Sequence, residues 1–133
     1  MKTAADLVRG WLAKADSDLA EAGRCAASSG PYDTGCFHCQ QAAEKYIKAV
    51  FCVHGKVPAK THNLRQLIGE LIVFEPAIKL ARPEVLALTA YAVALRYDSD
   101  FWPAQSELLD ALKVVRQVRA EVMAVIPAEM RPK

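Results

Sequence analysis

The chain has 133 residues, 53% of them hydrophobic, and a formal net charge of +2. That is one domain with enough apolar material for a real core, and a charge too small to argue for nucleic acid by itself. It has no run of about 18 apolar residues to span a membrane, and its acidic opening, MKTAADLVRGWLAKADSD, does not read as a signal peptide.

In chain order, the first helix is expected from Ala4 to Ala27. Thr3 can cap it, with Asp6 reaching back to a free amide. Val8, Leu12, Ala15, Leu19, Ala22 and Ala26 recur at helical spacing, and Trp11 lies on the flank. SSGPYDTG breaks this helix. The second runs from about Asp33 to His54 and stops at Gly55. After the loop GKVPAKT comes a short third helix with Leu64, Leu67, Ile68, Leu71 and Ile72 on one stripe, capped by Asn63 with Gln66 or by Thr61. Pro76 and Pro83 bracket a connector. Pro83 suits the first turn of a fourth helix ending near Tyr97. DSDFWP is a second break, with Pro103 in the first turn of a fifth helix that reaches about Ile126. The alternation typical of strands is missing. The expectation is an all-α protein, a five-helix up-and-down-like bundle forming a single domain over residues 1–133.

The second helix carries the chemistry. At about 100° per residue, Phe37, Gln41, Glu44 and Lys48 fall on one stripe, with Gln40 and Lys45 at its edges. Cys36, Cys39, Ala42, Ala43, Tyr46, Ile47, Ala49, Val50 and Val53 fill the rest of the circumference. Such a helix should be central and pack against several neighbours. Glu44 and Lys48 form an i, i+4 pair. The stripe is either a solvated face or a groove, and the width of the apolar arc favours the groove. CFHC holds two cysteines and a histidine, but His38 points nearly opposite Cys36 and Cys39. No second paired motif completes the four converging ligands of a structural zinc site. The four cysteines are read as reduced core residues in a cytoplasmic protein, with no metal and no cofactor.

The string QQAAEKYIKA, then THNL, then a helix ending in LRY, resembles the HEPN family (higher eukaryotes and prokaryotes nucleotide-binding). The opening WLAKADSDLAEA is similar to that family's first helix, so the resemblance covers Trp11 to Ile126. It implies a compact helical bundle, usually dimeric and often encoded beside a small nucleotidyltransferase, as in toxin–antitoxin-like systems. Some members cleave RNA; others bind nucleotides or act as non-catalytic interaction modules. The ribonuclease members carry an arginine, a polar residue, and a histidine a few positions on. The matching arginine here is Arg96, but Tyr97 follows it and no histidine occurs after His62. Metal-free RNA cleavage wants a group that titrates near neutrality, as histidine does.

Arg96 is then either a helix C-terminal cation meeting the dipole and Asp98 or Asp100, or an anion clamp for a phosphate. Asp98 and Asp100 can alternatively cap the fifth helix. His62, in the recurrent THNL motif, either bonds backbone groups near a helix cap or joins a polar cluster with Lys45 and Arg96. The candidate nucleotide- or anion-binding residues are thus Lys45, Lys48, His62 and Arg96, with Gln41 and Glu44 completing the stripe. Two functions stand side by side: a non-catalytic dimeric module that pairs with a nucleotidyltransferase and holds a nucleotide or RNA phosphate, and a metal-independent ribonuclease with an atypical site. Arg119, lying in the arc of Leu108, Leu112, Val115 and Val122, suggests a homodimer contact.

Overall fold

A computed structural model describes residues 1–132. Helix α1 spans Ala4–Ala26, α2 Asp33–Val53, α3 Leu64–Phe74, α4 Pro83–Leu86, α5 Thr89–Tyr97 and α6 Gln105–Val125, followed by a short 3₁₀ turn at Ala128–Met130. No strand occurs among the described residues. Counting α4 and α5 as one interrupted segment, the protein is the expected five-helix, all-α bundle.

The helix ends follow local chemistry. The Thr3 hydroxyl accepts from the Asp6 amide at 3.1 Å, and the Asp6 carboxylate accepts from the Thr3 amide at 2.9 Å, a complete capping box. Asn63 rather than Thr61 caps α3, its side chain accepting from the Gln66 amide at 3.2 Å. Helix α2 closes in a Schellman turn: the Lys56 amide donates to the Phe51 carbonyl and the Gly55 amide to the Cys52 carbonyl. Gly55 holds φ +67°, which is why glycine stands there.

Three expectations are corrected. The segment Pro83–Tyr97 is not one continuous helix. Around Ala87 and Leu88 the amides of Leu88, Ala90 and Tyr91 each bond three residues back, a tighter 3₁₀-type turn. Thr89, just past that turn, accepts through its hydroxyl from the Leu64 amide at 3.1 Å, which ties the start of α5 to the start of α3. Pro103 lies outside α6, whose N-cap is Ala104. Asp98 and Asp100 do not cap α6 either; the Asp98 carboxylate accepts from the Asp100 amide at 3.0 Å and shapes the preceding turn.

Side-chain bonds fix the directions. Asp16 and Asp18 of α1 meet Tyr46, His38 and Lys45 of α2, so α1 and α2 run antiparallel. Gln105 of α6 donates to the Ala26 carbonyl at 2.8 Å, and Arg119 reaches Asp16, so α6 also runs antiparallel to α1. Helix α2 touches α1, α3, α5 and α6 and is the hub of the core, as its wide apolar arc requires. Cys36, Cys39, Tyr46, Ile47 and Val50 are fully buried on it. Gly35 sits where α2 meets α6: a Cβ there would lie 2.6 Å from Leu108 Cδ2 and 2.9 Å from Cys25 Sγ.

Candidate functional site

The polar stripe of α2 does not face water. Gln40, Glu44 and Lys48 are buried, and Gln41 and Lys45 are half-buried. A carboxylate in such a place needs donors, and Glu44 has three. Its Oε1 accepts from His62 Nδ1 at 2.8 Å and from Gln40 Nε2 at 3.1 Å; its Oε2 accepts from Lys48 Nζ at 2.9 Å. Gln40 also donates to the His62 carbonyl at 3.1 Å and accepts from Gln41 Nε2 at 2.6 Å. The network therefore staples α2 to the THNL segment that leads into α3. Because the partner of His62 Nδ1 is a carboxylate oxygen, that nitrogen carries the proton. Nε2 is left without a partner among the described residues, on a ring that is 53% exposed.

Lys45 belongs to a second network. Its Nζ lies 2.5 Å from Asp18 Oδ2, and Asp18 Oδ1 meets His38 Nδ1 at 2.8 Å. A third network centres on Asp16, which accepts from the Tyr46 hydroxyl and from Arg119 Nε at 3.0 Å. Burial, then the Asp16 carboxylate, raises the Tyr46 pKa, and the Asp16 bond raises that of Arg119. Arg119 thus finds its partner inside its own chain, and its charge needs no second subunit to answer it.

The sequence does not single out Asp16 or Asp18; it places Gln40 only at the edge of the stripe and weighs His38 only as a metal ligand. For Asp18 a signal existed: it stands three residues after Ala15 and four before Ala22, on the buried stripe of α1. An acid at such a position calls for a cation across the helix pair.

Arg96 stands apart. It is exposed in the last turn of α5 and has no hydrogen bond or ion pair among the described residues; Asp98 and Asp100 do not reach it. Val93, three residues before Arg96, shares its face; Val93 and the next residue, Tyr97, are exposed, Tyr97 to 78%. Trp102, in the turn that follows, is 66% exposed, and Leu109 on α6 is half exposed. His62 lies at the other end of α5, beside Thr89 through the Leu64 bond. Seven residues separate Thr89 from Arg96, roughly 10 Å along the axis. Lys45, His62 and Arg96 therefore share no bond: Lys45 is held by α1, His62 and Lys48 by Glu44, and Arg96 by nothing described.

The cysteines are the remaining candidates. Cys36, Cys39 and Cys52 are buried, Cys25 is half-buried, and all four are free thiols. Desolvation pushes the Cys36 and Cys39 thiols up to about 12. Among the described residues no group of three or more histidine, cysteine or acidic side chains could hold a metal ion, and no helix is long and apolar enough to cross a membrane.

An antiparallel helix pair stapled by polar bonds, with α3, α5 and α6 packed against α2, defines a class of small helical domain, and comparison with known proteins specifies it. The HEPN domain family matches residues 8–125, and the chain belongs to that family. Its fold is similar to the crystal structure of TT1696 from Thermus thermophilus, with a TM-score of 0.72 and 26% identity over 88% of this chain and 96% of that one. It is also similar to ST0689, described as an archaeal HEPN homologue, with a TM-score of 0.67 and 20% identity over 96% of this chain and 100% of that one. No curated protein matches.

Proposed function

We propose that the chain is a non-catalytic HEPN module that dimerises through the α5–α6 corner, holds a nucleotide or RNA phosphate at Arg96, and pairs with a small nucleotidyltransferase in a toxin–antitoxin-like system. The observation that carries the first two parts is Arg96 itself: an exposed guanidinium without a partner among the described residues, on a helix end that also exposes Val93 and Tyr97, with Trp102 exposed in the connection that follows and Leu109 on α6. An apolar rim covered by a second copy, related by a two-fold axis, would gather two guanidinium groups in one place. Two such forks suit a phosphate. Lys48 and His62 are committed to Glu44, and Lys45 to Asp18, so an anion at those residues would have to displace a carboxylate already in place. The nucleotidyltransferase partner follows from the habit of the family.

The histidines support the non-catalytic assignment. His38, His54 and His62 lie against Asp18, Glu75 and Glu44, and none occurs in the α5–α6 corner. The experiment combines light scattering with nucleotide and RNA binding. The wild-type protein should be a dimer at micromolar concentration and bind anionic ligands without cleaving RNA, and Arg96→Ala should lose that binding. A monomer, or binding unchanged in Arg96→Ala, would count against the proposal. Copurification with the product of a neighbouring nucleotidyltransferase gene tests the partner.

One observation favours the alternative, an atypical ribonuclease. The Glu44 carboxylate orients His62 through Nδ1 and leaves Nε2 free, the arrangement of a general base. RNA cleavage by the purified protein, abolished in His62→Ala, would put that reading first.

A further inference from the structure

A cleft of about 450 Å³ opens between the first turns of α1 and the loop that follows α2. Its walls are apolar, formed by Leu7, Trp11, Cys52, Val57 and Pro58. Leu7 and Val57 are exposed there, Val57 to 91%, which ordinary packing does not explain. The volume lies within the roughly 300–1,000 Å³ range of small-molecule sites.

The charge of the lining is of one sign. Lys48, Lys56 and Lys60 line the cleft, and no carboxylate does. Lys48 is neutralised by Glu44 at 2.9 Å, and its Nζ lies 5.4 Å from the centre of the Trp11 ring. Lys56 lies over Phe74 at 5.4 Å, and Lys60 is exposed; neither has an ion pair among the described residues. The cleft thus offers an apolar interior and, at Lys60, an ammonium group without an ion pair, whereas the ammonium of Lys56 is turned to Phe74, which is not part of the lining. Its lining has no arginine, the residue whose fork suits a phosphate dianion. A ligand matching these features has an alkyl body and a single negative charge.

We propose that this cleft binds a medium-chain carboxylate, its tail against Trp11 and Cys52 and its head at Lys60. Nothing in this assignment depends on Arg96 or on the α5–α6 corner.

The probes are octanoate and decanoate below their micellar concentrations. Binding is followed by calorimetry on the wild-type protein and by fluorescence in Trp102→Phe, which leaves Trp11 as the one tryptophan. Both readouts should show saturable binding of one molecule per chain. Two added methylenes should tighten it about fifteenfold, since each buried methylene contributes about fourfold. Decyltrimethylammonium, with the opposite charge, should not saturate. Lys60→Glu and Leu7→Asp, both at exposed positions, should each weaken decanoate at least fivefold while circular dichroism stays that of wild type. The proposal is overturned by the absence of saturable binding, by equal binding of the cationic analogue, or by unchanged affinity in both variants. It is also overturned if Leu7→Asp turns a dimer into a monomer in light scattering, because the cleft would then be a contact between copies.

Discussion

The Glu44 network and the Arg96 corner are both charged groups on helices, yet they have opposite characters. Around Glu44 the charges of Glu44 and Lys48 are buried and answered: half-exposed His62, with Gln40 and Lys48, converges on one carboxylate, and a loop is held to the central helix as a result. Around Arg96 the charge is exposed and unanswered, and its neighbours are apolar side chains that water also reaches. The contrast separates charges that build the molecule from charges available to something outside it. Residue type does not distinguish them; burial and partners do.

The largest expected effect lies on the buried side. Glu44→Ala leaves Lys48 with an uncompensated charge in a buried place and His62 Nδ1 without its acceptor, and it removes one of the two acceptors of Gln40 Nε2. It should lower stability by about 3 kcal/mol in urea unfolding. Adding Lys48→Met should recover much of that loss, because the stranded charge is removed with its partner. A loss below about 1 kcal/mol for Glu44→Ala would erase the contrast between the two regions.

The seam between them is tested at Gly35, where α2 presses on α6. Gly35→Ala drives a methyl against Leu108 Cδ2 at 2.6 Å and should cost about 1–3 kcal/mol through overpacking. A neutral outcome would mean that α6, and with it Leu109, can shift away from the core at little cost.

A smaller, pH-dependent effect should appear on the same side. Burial raises the Cys36 and Cys39 thiols from 9.0 to about 12, and it raises Tyr46 and Tyr91 above the ordinary tyrosine value. In each case the folded state favours the neutral, protonated form. The associated stability is fully present below pH 9, starts to fall above it, and is lost as pH passes through about 12. Urea midpoints should therefore be level from pH 7.5 to 8.5 and lower at pH 10.5. At pH 8 a thiol reagent should label half-buried Cys25 first, with Cys36 and Cys39 reacting only on unfolding.

The smallest effect on stability belongs to Arg96. Arg96→Ala should change unfolding free energy by no more than about 0.5 kcal/mol, as for an exposed residue that makes no bonds. A destabilisation comparable to that of Glu44→Ala would show that the arginine is structural and break the comparison from the other end.

The sequence by itself determined the all-α class, the cap at Thr3, the stop at Gly55 and the central place of α2, and it narrowed the cap of α3 to Asn63 or Thr61. These are local or periodic properties: an amide finds the side chain three residues away, and an apolar arc that wide must be covered. The family was legible in the same way, through QQAAEKYIKA and THNL. The tertiary structure alone decided which charges meet. Gln41 and Lys45 share a spacing with Glu44 and Lys48, but Lys45 turns to Asp18 on another helix, and Arg119 turns to Asp16 rather than to a second subunit. His62 approaches Glu44 because the loop after α2 doubles back, and the interruption at Ala87–Leu88 lies beside a bond from Leu64 to Thr89 across 25 residues. Helical spacing fixes which side chains share a face. The partner of a long charged side chain is chosen by whichever element packs opposite it, and that depends on the whole chain.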